Sequence, residues 1–298
     1  MKHKPQPTIV FCTDSPSPAT GDLGFIVLPD EERKAYHDNI VKPSASTLLA
    51  YPSDFSDPEI QAGSIAYHPI FGHIAYRSWW RFSTAQFMAD LKAAEENPNI
   101  YGHLIHVDSG GGDAFGLHEA FEMVRDLKKP CVAIIESCGG SAGYYLAAAA
   151  DKVYASAEFS MIGCIGIASV IVDDSEYYKK AGIEFRTLVS NYSPLKNKIF
   201  HDAEDGKTKE YVERYLDPMA LQFINDVKSV RPSISEAAQQ GDTFYTQEAI
   251  EAGLIDGKKP VDTVLDEMLS EAAAALEKQQ DNMQSPSVDI NTIPFTEL

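Results

Sequence analysis

Ser141 is the side chain with the clearest potential for covalent chemistry, because it lies in a glycine-flanked turn. The turn at residues 139–143, GGSAG, follows a short apolar stretch and precedes an alanine-rich one. A serine between a strand and a helix can hold its hydroxyl clear of the sheet, and the following backbone N–H can stabilise an oxyanion. The alternative is an ordinary helix N-cap, for which serine is a favoured residue. The local pattern leaves both hypotheses open.

A glycine run at residues 110–112 directly follows the apolar stretch at 103–107. Glycine lets the backbone approach a reacting group closely and present its N–H groups. The run therefore suits the second half of an oxyanion hole, and a plain glycine-rich turn is the alternative. It is not a phosphate-binding loop, since no Gly-Lys-Ser/Thr follows it and the dinucleotide-binding spacing is absent.

Activation of Ser141 requires a general base, which can be a histidine or a lysine. Of the eight histidines, none lies between residues 118 and 201, and His103 and His106 lie in or beside a strand, where a core histidine is the simpler interpretation. Lys196 and Lys198 have apolar neighbours at 195, 199 and 200. A lysine in an apolar pocket loses proton affinity and can act as a base, whereas most lysines are solvated.

The elements that must position these residues alternate between strands and helices. Ser83 with Gln86 predicts a capped helix that ends before Pro98. The segment 64–76 predicts a strand pair with a turn near Gly72. The next helix is predicted from a buried stripe of apolar residues at helical spacing. Its members are Leu117, Ala120, Phe121, Val124 and Leu127.

The alternation of strands and helices predicts an α/β fold with a largely parallel sheet. We divide the chain into a proline-rich N-terminal arm at 1–60, a main domain at 61–265, and a tail at 266–298 that is helical and then disordered. The longest apolar stretch, 143–150, is far shorter than the roughly 20 residues that cross a bilayer. The N-terminus lacks a signal-peptide core. No membrane span and a cytoplasmic location are therefore expected.

The composition excludes nucleic acid as a partner. The 298-residue chain has 25 basic and 44 acidic residues and a net charge of −19, which repels phosphates. The four cysteines, Cys12, Cys131, Cys138 and Cys164, fit no zinc-binding spacing and are interpreted as reduced.

Several motifs together resemble the signal peptide peptidase A family, which includes bacterial membrane-associated peptidases and phage head-maturation proteases. The resemblance covers roughly residues 64–265. It is carried by HVDSGGGDAFG, KKPCVAIIESCGGSAGYYLAAAADKVYA, MIGCIGI, KKAGIEF and TQEAIEAGLIDG. It implies a Clp-protease/crotonase-like ββα superhelix, and by residue it implies Ser141 as nucleophile. Gly111, Gly112 and Ala142 would form the oxyanion hole. Lys196 would be the base after a short insertion, with Lys198 as the alternative.

The same resemblance implies a serine endopeptidase with a Ser-Lys dyad, acting on polypeptides such as phage capsid or scaffold precursors or signal-peptide remnants. No metal or other cofactor is implied. A homo-oligomeric ring or dome is implied, in the cytoplasm of a bacterium or a phage-infected host, or within a phage prohead.

Two other functions remain open from the sequence. A crotonase-like acyl-CoA enzyme would share the fold and use oxyanion-hole amides without a serine nucleophile. A catalytically inactive assembly protein would retain the fold alone. Ser141 and the pair Tyr144-Tyr145 favour the peptidase.

Overall fold

The computed structural model describes residues 9–10 and 48–284. The predicted arm at 1–60 lies mostly outside the described residues, and so does the predicted disordered end of the tail from 285 onward. The division of the chain into three regions therefore stays a prediction.

The strands form one large sheet and one small sheet. In chain order they are β1 Ile9–Val10, β2 Leu49–Ala50, β3 Ser64–Ala75, β4 Phe82–Ser83, β5 Ile100–Gly112, β6 Cys131–Gly140, β7 Lys152–Ala155, β8 Met161–Gly163, β9 Ala168–Ser169, β10 Thr243–Phe244 and β11 Gly257–Lys258.

The large sheet is mostly parallel. Its strand order is β10-β8-β6-β5-β3-β2, with β4 beside β3, and with β7 beside both β6 and β11. Only β10, on β8, pairs in the antiparallel sense within this sheet as described. The small sheet pairs β1 with β9. The predicted α/β fold with a largely parallel sheet is confirmed.

The segment predicted as a strand pair is instead the single strand β3. Gly72 has a φ of 69°, and the register between β3 and β5 shifts between Phe71 and His73. A positive φ allows glycine to form a bulge, which bends a strand without reversing it. The predicted turn near Gly72 is therefore wrong, because β5 pairs with β3 on both sides of the glycine.

The helices lie between the strands and at the end of the chain. They are α1 Thr84–Glu96, α2 Leu117–Arg125, α3 Ala142–Ala148, α4 Ser175–Lys180, α5 Lys198–Glu204, α6 Lys209–Tyr211, α7 Asp217–Val230, α8 Thr246–Glu251 and α9 Val261–Gln284, with a π-helical turn Val212–Leu216 and a 3₁₀ turn Ala237–Gln240.

Two helices confirm the local sequence signals. The Ser83 side chain accepts a hydrogen bond from the Gln86 N–H at 3.3 Å, so α1 begins with the predicted cap. On α2 the predicted stripe is buried, and Leu127 packs beside the same core just beyond the helix. The buried members on the helix are Leu117, Ala120, Phe121 and Val124.

The two faces of the large sheet carry separate cores. Helices α1, α2, α3 and α7 pack on one face. On the other face, α9 buries Val264, Leu265 and Met268 against Ile65 and Leu104 of β3 and β5. Helix α9 thus continues without a break past residue 265, where the main domain was predicted to end. Within residues 48–284, no helix is long and apolar enough to cross a membrane.

Buried histidines lie on the two central strands. His68 Nε2 is 3.0 Å from His103 Nδ1, and His103 Nε2 is 3.1 Å from Glu95 Oε2. His106 Nδ1 is 2.9 Å from the Tyr67 hydroxyl. These contacts agree with the interpretation of His103 and His106 as core histidines. Burial, and next the neighbouring His103, hold the pKa of His68 well below its usual value, and burial also lowers the pKa of His103.

We expect this histidine pair to make the fold sensitive to acid. The unfolded chain binds the two protons with a pKa of about 6.5, so the free energy of unfolding is greatest above that pH and falls as the pH drops below it. The free energy of unfolding falls by about 1.4 kcal/mol per pH unit for each histidine that the fold keeps neutral. The Tm of the wild type should fall between about pH 7 and pH 5, and the Tm of the His68→Gln variant should fall less steeply over the same range. The partly exposed His201→Gln serves as control, and an equal slope in His68→Gln would contradict the prediction.

Candidate active site

Ser141 is held in a strained backbone conformation between β6 and α3. Its φ is 51° and its ψ is −120°, a region that L-residues rarely adopt and that costs about 1–3 kcal/mol. Hydrogen bonds fix the turn on both sides: the Ser141 N–H donates to the Gly163 carbonyl at 2.8 Å, and the Ser141 carbonyl accepts from the Tyr145 N–H at 2.9 Å. The surrounding backbone therefore imposes the strain.

The Ser141 side chain has no structural role in capping α3. The residue is fully buried, and its Oγ has no hydrogen-bond partner among the described residues. It also makes no capping bond to the helix. Ser141 therefore occupies the N-cap position of α3 without capping the helix, and a buried, unpaired hydroxyl costs about 1–3 kcal/mol that the fold does not recover.

Gly111 lies directly against Ser141. Its φ is 112°, and a Cβ built on it would lie 2.8 Å from the Ser141 Cβ and 3.1 Å from the Ala142 nitrogen. A side chain at this position would displace the serine. The end of β5 therefore lies against both Ser141 and the first amide of α3.

The amide of Gly111 is already hydrogen-bonded. Its N–H donates to the Ser109 Oγ at 3.1 Å, and the Ser109 hydroxyl donates to the Gly72 carbonyl at 2.6 Å. Gly112 pairs with Ile74 of β3. Sequence reasoning did not identify Ser109, whose hydroxyl connects the bulge of β3 to the glycine run. The oxyanion-hole assignment of Gly111, Gly112 and Ala142 stays a prediction.

Asp108 supports the strand that leads to Ser141. Val107 of β5 pairs with Ile135 of β6, and Ser109 pairs with Gly139. Strand β6 therefore has more residues than β5 between these two pairs, and it contains a bulge there. The Asp108 carboxylate accepts hydrogen bonds from the Cys138 N–H at 3.1 Å and from the Ser137 hydroxyl, both within that bulge. This contact was not predicted, although Asp108 lies within the HVDSGGGDAFG motif.

Strand β8 supports the turn from the other side. It pairs with the end of β6, Met161 with Cys138 and Gly163 with Gly140. The MIGCIGI motif therefore supplies the carbonyl that binds the Ser141 N–H.

The structure does not bring either candidate lysine to Ser141. Both belong to the segment 170–198, which is mostly exposed, and Leu195, beside Lys196, is 74% exposed. The Lys198 ammonium pairs with Asp202, and this hydrogen bond raises its pKa, opposite to what a base needs. The apolar pocket expected around the lysine is not formed in the described chain.

His118, on α2, has a carboxylate partner. His118 Nδ1 is 2.9 Å from Asp226 Oδ2, and the Tyr145 hydroxyl donates to the same oxygen. Gln222 donates to the other carboxylate oxygen at 2.8 Å. This network joins α2, α3 and α7, one turn beyond Ser141.

Comparison with protein families gives a match to the description "Peptidase family S49" over residues 124–275, which is 152 of the 298 residues. The chain belongs to peptidase family S49. The matched part of the S49 chain contains Ser141, Lys196 and Lys198, and the glycine run at 110–112 precedes it.

Curated relatives of this S49 chain are proteases and a phage protein. "Probable protease SohB" of Buchnera aphidicola is 27% identical over 57% of the chain and 56% of the relative. "Serine protease SPPA, chloroplastic" of Arabidopsis thaliana is 25% identical over 57% of the chain and 26% of the relative. "Head-tail preconnector protein GP5" of Enterobacteria phage P21 is 26% identical over 57% and 34%. The chain spans about half the length of these relatives or less.

Solved structures similar to the S49 chain include a Clp protease and an enoyl-CoA hydratase/isomerase family protein. ClpP1 of Listeria monocytogenes matches with a TM-score of 0.38 and 14% identity, over 65% of this chain and 91% of the other. An enoyl-CoA hydratase/isomerase family protein of Silicibacter pomeroyi matches with a TM-score of 0.44 and 17% identity, over 76% and 90%.

Proposed function

We propose that this S49 chain is a serine endopeptidase in which Ser141 is the nucleophile. The observation that carries the proposal is the strained, fully buried Ser141, whose Cβ lies against Gly111 and whose hydroxyl has no hydrogen-bond partner among the described residues. Strain and an unpaired hydroxyl are costs that a structural serine would not retain, and such costs cluster at functional sites. An acyl-CoA enzyme of the crotonase type needs no serine here.

The proposed general base is Lys196, with Lys198 as the alternative. A neutral lysine would remove the proton from the Ser141 Oγ as that oxygen attacks the carbonyl carbon of a peptide bond. The carbonyl electrons would move to the oxygen, which the amides of Ala142 and of Gly112, or of Gly111 once it releases the Ser109 Oγ, would bind. The protonated lysine would then give its proton to the leaving amine as the C–N bond breaks. Water would release the acyl group in the same way.

The lysine can serve as base only when it is desolvated. Burial lowers the pKa of a lysine, whereas the ion pair of Lys198 with Asp202 raises it, which favours Lys196. The stretch at 170–197 exposes several large apolar side chains, including Leu188 and Tyr192. We infer that this stretch is covered in the working enzyme, either by refolding over Ser141 or by contact with a second copy, in keeping with the proposed homo-oligomer.

The proposed substrates are polypeptides. The phage relative suggests capsid or scaffold precursors, acted on in a prohead or in the host cytoplasm, and the SPPA relative suggests signal-peptide remnants. Incubation with candidate precursors and identification of the new N-termini would distinguish these classes.

Intact-mass measurement after treatment with a fluorophosphonate tests the nucleophile and the base together. We expect one adduct on the wild type and none on Ser141→Ala, while the buried control Ser160→Ala is labelled normally. Lys196→Ala should slow labelling by about 10²–10⁴-fold, as expected for loss of a general base. Lys196→Arg should be equally slow, because arginine stays protonated. Lys198→Ala should change the rate less than about twofold if Lys196 is the base.

The outcomes separate the alternatives. An adduct that persists in Ser141→Ala would refute the assignment. A folded wild type without any adduct would favour an inactive assembly protein or an acyl-CoA enzyme. Mixing Ser141→Ala with Lys196→Arg restores labelling only if the base comes from a second copy.

A further inference from the structure

The segment that runs from the end of β3 to the first residue of β4, residues 76–82, contains both tryptophans of the chain and is called the tryptophan loop below. Trp79 is 93% exposed and Trp80 is 38% exposed. Single exposed apolar residues are common on protein surfaces, but adjacent tryptophans present a large apolar area to water. A surface of this kind indicates a binding function.

The tryptophan loop is held in a defined shape. The Ser78 Oγ accepts hydrogen bonds from the N–H groups of Trp80 at 3.3 Å and Arg81 at 2.9 Å. The Arg81 guanidinium lies 4.0 Å from the centre of the Trp80 ring. The loop therefore presents its aromatic rings from a fixed backbone, which lowers the entropy lost on binding.

The tryptophan loop differs in charge from the rest of the protein. Residues 76–82 include Arg77 and Arg81 and no acidic residue, whereas the chain as a whole has a net charge of −19. Both arginines are exposed. An acidic ligand would be repelled by most of the surface and attracted to this loop.

The tryptophan loop is joined to the site at Ser141. The Tyr76 N–H donates to the Asp113 carboxylate at 3.2 Å, and Asp113 follows Gly111 by two residues. Phe115, on the same segment, is 58% exposed. Summed along the chain, this path is about 20 Å, which is an upper limit on the separation of Trp79 from Ser141 and corresponds to at most roughly six residues of extended peptide.

We propose that the tryptophan loop and Phe115 bind the polypeptide substrate several residues away from the bond that Ser141 cleaves. The occupant is an extended segment that combines aromatic or apolar side chains with acidic ones. Its apolar groups would stack on Trp79 and Phe115, and its carboxylates would pair with Arg77 and Arg81. The inference rests on the proposed function, since it takes the substrate to lie on Ser141. An anionic lipid surface fits less well, because the net charge of the chain would oppose it.

Tryptophan fluorescence tests this proposal without catalysis, since both tryptophans lie on the loop. Ser141→Ala protein would be titrated with a dodecapeptide that contains two phenylalanines and two glutamates. We expect a saturable blue shift of the emission. Trp79→Ala keeps Trp80 as reporter and should weaken Kd at least about fivefold. Arg77→Glu should weaken binding of this peptide more than binding of its lysine-for-glutamate counterpart. Leu221→Ala, an exposed apolar residue on α7, should leave Kd unchanged.

Each other outcome overturns the proposal. A shift with phosphatidylglycerol vesicles but not with the peptide would make the loop a lipid-binding surface. A shift that depends only on protein concentration would assign it to contact between copies. No shift with the peptide would remove the substrate role. Fluorophosphonate labelling of the wild type is independent of these results, so peptide binding without labelling refutes only the proposed function, and labelling without peptide binding refutes only this inference.

Discussion

Ser141→Gly is expected to abolish fluorophosphonate labelling and, at the same time, to raise Tm. Glycine adopts the φ of 51° and ψ of −120° without the strain that Ser141 bears. The change also removes the buried hydroxyl, for which residues 48–284 supply no hydrogen-bond partner. After the extra freedom of glycine in the unfolded chain is subtracted, we expect a gain of about 1–2 kcal/mol, or roughly 2–6 °C in Tm. Calorimetry and intact-mass measurement on the same samples check both effects.

Ser83 provides a matched control for this prediction, because it is also the N-cap residue of a helix. Its hydroxyl bonds the Gln86 N–H in the ordinary way, so Ser83→Ala should lower the free energy of unfolding by about 1 kcal/mol and leave labelling intact. Ser141→Ala retains the backbone strain and should be less stable than Ser141→Gly. If Ser141→Gly lowered Tm as Ser83→Ala does, Ser141 would be an ordinary capping residue.

Gly111→Ala is expected to slow labelling of Ser141 by about 100-fold or more, since a displacement of the nucleophile near 1 Å has effects of this size. The new Cβ would lie 2.8 Å from the Ser141 Cβ, and the φ of 112° is itself unfavourable for alanine. The serine, the amide of Ala142 or both must move. The labelling rate, measured well below Tm, reports this displacement directly.

Gly206→Ala is the control that introduces backbone strain without displacing Ser141. Gly206 has a φ of 85°, and nothing lies within 4 Å of a Cβ built on it. This variant should lose about 1–2 kcal/mol of stability and keep its labelling rate. Equal labelling in wild type and Gly111→Ala would mean that Ser141 is not confined by Gly111, and it would remove the main support for the proposed oxyanion hole.

The candidate site was only partly predictable from the sequence. The turn at 139–143 and the glycine run at 110–112 were recognised from their glycine content, because clustered glycines indicate a turn or a close approach of the backbone. Whether Ser141 caps a helix or stands unpaired depends on its φ and ψ, which Gly163 of β8 and Tyr145 fix through hydrogen bonds. Those partners are not specified by the turn itself.

Contacts between distant segments account for what the sequence analysis missed. The Asp108 carboxylate supports Cys138, 30 residues further on. Ser109 connects the glycine run to Gly72, 37 residues earlier. The turn predicted near Gly72 proved to be a bulge, since a glycine with positive φ fits both structures locally. Only the pairing with β5 decides between them.

The sequence by itself determined the α/β alternation, the capped start of α1, the buried stripe of α2 and the glycine-flanked Ser141. Each of these follows from residue type and spacing within a few turns of helix or one strand. The tertiary structure alone decided that Ser141 is strained and has no side-chain partner in the described part of the chain, that Gly111 lies against it, and that Lys196 and Lys198 lie on an exposed stretch. These features depend on which strands and helices become neighbours, and local spacing does not encode the distances between them.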